Sequence, residues 1–187
     1  MNSNRIEYFM NVMLYFAWLH EKHVTNTVHS TFNKILYFTS YIFLGKKYAR
    51  RNYINIKKST KNKLGESGYK DLKKGFYINK AKYWFEYFSA GYPALISFII
   101  LGVVLRAFND ISKLSLFLIV AIPIGLSCIP DHKYIYSKDK YIEYFRQFNK
   151  KDEQWHKKWK RISRVYFIGG ILSYPLGAFI GLAIAML

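Results

Sequence analysis

The stretch Tyr87–Leu105, YFSAGYPALISFIILGVVL, runs for 19 residues without a charge. A helix climbs about 1.5 Å per residue, so roughly 20 apolar residues cross the ~30 Å hydrocarbon core of a bilayer. Two further runs read the same way. Leu114–Pro130, LSLFLIVAIPIGLSCIP, has 17 uncharged residues, and Val165–Leu187, VYFIGGILSYPLGAFIGLAIAML, has 23. The middle run is short alone and is extended by Ile111. The linker Arg106–Lys113 is brief and polar, which predicts an antiparallel helical hairpin for the first two runs. The fold class is therefore all-α: a multi-pass helical integral membrane protein with three spans.

Charge supports this from the other direction. The 187-residue chain carries 29 Lys+Arg against 11 Asp+Glu, a net charge of +18, although 51% of it is hydrophobic. A soluble basic protein spreads such charge over its surface. Here Lys46–Lys82 holds 13 basic and 2 acidic residues, Asp131–Arg164 holds 11 and 5, and together they contain 24 of the 29 basic side chains. The positive-inside bias places both stretches in the cytoplasm. Tyr87–Leu105 then exits, Leu114–Pro130 returns, and Val165–Leu187 exits again, leaving Leu187 outside a bacterial-type inner membrane. The division expected is an N-terminal apolar segment (1–46), a basic cytoplasmic segment (47–86), a transmembrane hairpin (87–130), a basic aromatic helical segment (131–164) and a C-terminal span (165–187).

The N-terminal segment is less direct. Tyr8–Leu19 and Ile35–Gly45 contain 12 and 11 uncharged residues, short for independent spans. Polar residues from His20 to Thr31 separate them, so a helical hairpin is expected, lying in the interface, packed on the bundle, or crossing with help from neighbours. Tyr8–Leu19 lies between Glu7 and Glu21 and no small-residue cleavage site follows, so it reads as an uncleaved segment rather than a secretory signal. The single cysteine, Cys128, excludes an intrachain disulfide.

Three features mark candidate functional positions. Gly169, Ser173, Gly177, Gly181 and Ala185 recur every fourth residue of the last span, a small-residue stripe that lets another helix approach closely. That helix belongs either to the chain's own hairpin or to a second copy. Pro123 and Pro175 fall within spans, where each removes a helical hydrogen bond and is expected to kink the helix. Just before the last span, residues 154–161 read QWHKKWKR. Trp155 and Trp159 share a face expected at headgroup depth, while Lys157, Lys158, Lys160 and Arg161 reach anionic phosphates. Basic residues interleaved with aromatics can also bind nucleic acid, but no RNA- or DNA-binding motif accompanies them, and the bilayer already accounts for these side chains.

Catalytic patterns are sparse. His20, Glu21, His23 and His29 miss the spacing that puts two metal ligands and a base on one helix face. Asp131-His132 at the inner membrane edge is the single candidate for interfacial lipid chemistry. No nucleophile elbow, phosphate-binding glycine loop or acidic magnesium cluster is present, and no internal repeat of the transporter kind. No midplane acid or histidine suggests a proton relay. A non-enzymatic protein without cofactor or metal is expected, acting through helix association as an oligomeric pore or membrane-perturbing effector. The alternative is an immunity-type or chaperone-like protein that binds a toxin or another membrane subunit. Expected partners are anionic headgroups and either a second copy or another membrane protein, with nucleic acid disfavoured.

Overall fold

The computed structural model describes residues 3–73, 75–108 and 110–187. Asn109, in the expected outer turn, lies outside them. Five α-helices follow one another: α1 (Ser3–Lys70), α2 (Phe76–Ala107), α3 (Lys113–Asp131), α4 (Lys140–Phe148) and α5 (Glu153–Met186). A π-helical turn (His132–Tyr136) and a 3-10 turn (Ser137–Asp139) join α3 to α4. There is no strand among the described residues. Among the described residues, three helical stretches, α2, Lys113–Phe148 and α5, are long and apolar enough to cross a membrane. The protein is thus a helical membrane protein. It divides into two units: residues up to Phe16 together with Tyr83–Leu187, and Ala17–Lys82.

The first unit is organised by α2 and α5. Phe88 and Gly91 meet Gly170, Leu95 meets Gly177, and Phe98 and Gly102 meet Gly181. Partner numbers rise together, so the two helices run parallel. Contact is backbone on backbone. A Cβ added at Gly177 would lie 2.7 Å from the Leu95 Cα, and one at Gly91 would lie 2.8 Å from the Gly170 carbonyl carbon. Tyrosines fasten the pair near its start. The Tyr92 hydroxyl donates to the Tyr166 carbonyl at 2.6 Å, and the Tyr174 hydroxyl donates to the Tyr87 carbonyl at 2.7 Å.

The contacting face of α5 is Gly170, Ser173, Gly177 and Gly181, all buried. Gly169 instead faces the Tyr92 hydroxyl, and Ala185 is half-buried. The reason is rotational. Four residues turn a helix by about 400°, so a strict every-fourth pattern drifts by about 40° per step, and a straight contact needs steps of three mixed with four. The helix filling this groove is the chain's own α2.

Ser112 caps α3 by accepting the Ser115 N–H at 3.1 Å. The buried Ser97 hydroxyl of α2 donates to the Pro93 carbonyl at 3.0 Å and to the α3 carbonyl of Val120 at 3.3 Å. Pro123 and Pro175 both sit inside helices that continue past them. After α3 the chain kinks at Lys138 and Asp139, which adopt left-handed φ of 57° and 53°. Two adjacent non-glycine residues in this region carry a local cost of order 1 kcal/mol each. Beyond the kink, α4 buries Tyr141, Phe145 and Phe148.

In the second unit the expected turn at His20–Thr31 is absent: α1 continues through it. No glycine or proline occurs from Met1 to Leu44, so nothing breaks the helix there. The reversal comes at Gly45, with φ +81°. The rings of Tyr37 and Tyr53 lie 5.8 Å apart, whereas 16 residues of straight helix would separate them by about 24 Å. The expected hairpin of Tyr8–Leu19 against Ile35–Gly45 is therefore not formed, and a different one turns at Gly45. Its first arm carries both apolar runs, and its second is the start of the basic segment. Glu21, buried, pairs with Lys80 at 3.7 Å within this unit.

Replacement of Gly177 or Gly181 by Leu should separate α2 from α5, with an overpacking cost of about 1–3 kcal/mol each. Gly125→Ala, at a glycine with nothing within 4 Å of its would-be Cβ, should be neutral. Thermal unfolding in detergent measures both.

Candidate functional site

The end of the first unit where α2 and α5 begin gathers most of its buried aromatic and ionisable groups. The start of α1 is seated there. Val12, Met13, Leu14 and Tyr15 are all at 0–1% exposure, so successive residues on every face of this turn are covered by protein. A helix apolar all round is buried in this way. Tyr8–Leu19 thus begins as a protein-covered core helix rather than a lipid-facing one.

Its partners come from α4 and from the start of α5. Tyr141, Phe145 and Phe148 of α4 are fully buried. Tyr15 lies 5.2 Å from Phe145 and 5.5 Å from Phe148, ring to ring, and its hydroxyl donates to Asn149 Oδ1 at 2.8 Å. Burial pushes the Tyr15 phenol up to about 12, so it remains a donor at any physiological pH. The Asn11 amide donates to the Glu7 and Tyr134 carbonyls at 2.8 and 3.0 Å. Glu7 accepts from Lys140 Nζ at 3.0 Å and from the Tyr144 hydroxyl at 3.3 Å.

The tryptophans expected at headgroup depth are held inside this assembly. Trp155 stacks on Phe148 at 5.1 Å and on Phe16 at 6.0 Å, and its Nε1 donates to the Tyr8 hydroxyl at 3.1 Å. Trp159 meets Tyr8 at 5.9 Å and Phe9 at 6.3 Å. Their partners lie some 140 residues earlier, beyond the reach of any local pattern. Lys157, Lys158, Lys160 and Arg161 occupy the opposite side of the helix and are all exposed. Lys157 pairs with Glu153 at 2.8 Å, an exposed i,i+4 pair that contributes little. The α5 start therefore has two faces: indoles packed on the first helix, and exposed cations on the other side.

Just beyond Pro130, Asp131 is buried while its neighbour His132 is exposed. The Glu86 carboxylate lies close enough to Asp131 for the two charges to interact. A buried acid beside a second acid is the one place where the sequence reading of Asp131-His132 touches unusual electrostatics. His132 does not share that burial. Among the described residues no group of three His, Cys, Asp or Glu side chains is placed to hold a metal. The side chain of His29 lies outside the described residues.

Compared with protein-family models, curated proteins and solved structures, the chain matches none.

Asp131→Asn removes a buried carboxyl beside a second acid and keeps its shape, so it should raise the unfolding midpoint at neutral pH, as followed by thermal melts in detergent.

Proposed function

We propose that the chain is a multi-pass protein of a bacterial-type cytoplasmic membrane that acts without catalysis, through helix association in the bilayer. The observation that carries this reading is the bareness of α3. Only 6% of its most apolar window is buried within the chain, against 22% for α2 and for α5. Lipid covers such a helix adequately, but one face is shaped for something closer. Ala121, Gly125 and Cys128 fall at i, i+4 and i+7, and nothing lies within 4 Å of a would-be Gly125 Cβ. Leu118, Ile122, Leu126 and Ile129 flank this face, all exposed. Small residues with apolar shoulders are what close helix pairing in lipid requires.

Association is accordingly assigned to α3, because α2 already fills the groove of α5. The α3 face is apolar along its length, so it supports a packed assembly and not a water-lined pore. Membrane perturbation by such an assembly is the effector form of the proposal. The parallel course of α2 and α5 supports an exit–return–exit path with the basic segments cytoplasmic and Leu187 outside. The exposed cations of the α5 start then meet anionic headgroups. The second reading, an immunity-type or chaperone-like partner protein, uses the same α3 face to receive a foreign helix.

Cysteines introduced at positions 61, 150 and 187 in a Cys128→Ser background should be labelled from inside, inside and outside respectively; positions 61 and 150 on opposite sides overturn the topology. The native Cys128 is exposed and supplies the second test. Mild oxidation of native membranes should yield a disulfide-linked dimer that Gly125→Leu abolishes. Absence of the dimer, with Cys128 still reactive to maleimide, overturns self-association and leaves the partner-binding reading.

A further inference from the structure

Within residues 17–82, the first arm of α1 displays an apolar face that its own unit does not cover. Val24, Val28, Phe32, Ile35, Phe38 and Ile42 are between 37 and 63% exposed. Their steps of four, four, three, three and four keep them on one side of the helix for 18 residues, about 27 Å. Threonines on this arm turn inward to the helix: Thr27 Oγ1 donates to the His23 carbonyl at 2.9 Å, and Thr39 Oγ1 to the Ile35 carbonyl at 3.1 Å. Their polarity is thereby spent on the backbone. A continuous exposed apolar strip of this length marks an interaction surface.

What covers it is indicated by charge. From Lys22 to Gly65 the sequence has ten Lys and Arg and not one Asp or Glu. Directly past the Gly45 reversal, Lys46, Lys47, Arg50 and Arg51 line an open groove of about 580 Å³ with Ile54 and Asn55. Among the described residues the lining holds four cations and no acid, a composition that suits phosphate. An apolar strip continued by a cationic groove is the pattern of a helix lying in the headgroup region, with its apolar face toward the acyl chains and its cations on the phosphates. Lys34, exposed beside the strip, has the reach to snorkel to the same level.

We infer that residues 17–82 form a membrane-surface module: the Val24–Ile42 face embeds at the headgroup–acyl boundary of anionic lipid, and Lys46, Lys47, Arg50 and Arg51 hold the headgroup phosphates. The module lies along the bilayer rather than across it, since a crossing would carry Lys34 into the hydrocarbon. This inference is independent of any association through α3.

The test uses the full chain in a Cys128→Ser background, reconstituted in phosphatidylcholine vesicles with or without phosphatidylglycerol. A polarity-sensitive label is placed at Thr31→Cys, on the strip, or at Tyr37→Cys, on the far side of the arm. With phosphatidylglycerol, shallow brominated lipid should quench the Thr31→Cys label and spare the Tyr37→Cys label. Quenching should fall by about twofold or more without phosphatidylglycerol, in high salt, or when Lys46, Lys47, Arg50 and Arg51 are all changed to Gln. The lipid and salt comparisons keep the test valid should the fourfold variant not fold. An unquenched Thr31→Cys label overturns the inference. So does quenching strongest from bilayer-centre bromines, which means a span. Quenching indifferent to charge, with RNA binding lost in the fourfold variant, overturns it in favour of nucleic acid.

Discussion

The first unit depends on one close approach, the parallel contact of α2 and α5 backbones at Gly91, Gly102, Gly170, Gly177 and Gly181. In lipid, helices gain little from hiding apolar surface, because acyl chains solvate leucine as well as another helix does. What remains is dispersion between surfaces close enough to exclude lipid, together with hydrogen bonds across the gap. The glycines provide the first and the tyrosines Tyr92 and Tyr174 the second. A parallel pair also constrains connectivity, since the chain must return between them. Helix α3 does so, and Ser97 ties it to α2 by a single hydroxyl.

At the end where α2 and α5 begin, the physics changes from dispersion in lipid to aromatic packing. Trp155 and Trp159 carry a large apolar surface with one polar handle each, which suits either a bilayer interface or a protein core with a waiting acceptor. Tyr8 provides that acceptor for Trp155. The consequence is a division of labour around one helix: aromatics inward on α1, cations outward. The same division recurs in the second unit, where an apolar strip and a cationic groove succeed one another along α1. Both arrangements leave cationic side chains exposed.

Much of the fold was legible because the bilayer simplifies the reading. Uncharged length alone identified α2, α3 and α5, and the segregation of Lys and Arg marked the segments between them. Tyr141, Phe145 and Phe148 recur at helical spacing, and all three are buried. The N-terminal segment was misread: both expected hairpin arms belong to one continuous helix, and the turn comes after them. Polar residues at His20–Thr31 suggested a turn, but polarity does not end a helix; a residue free to take positive φ does, and Gly45 is the first one in the chain.

The sequence by itself determined the class, the three apolar helices and the presence of a small-residue groove, because hydrophobic length, charge and side-chain size are properties of single residues. Tertiary structure alone decided what each feature faces. It set the α2 backbone against Gly170 and only the Tyr92 side chain of α2 against Gly169, since a helix turns about 100° per residue and a repeat of four drifts away from a straight neighbour. It gave the α5 groove to α2 and left the α3 face bare. It placed Trp155 and Trp159 against residues of α1 far away in sequence, and it buried Asp131 while exposing His132. These are relations between distant segments, and no local pattern of residue types encodes them.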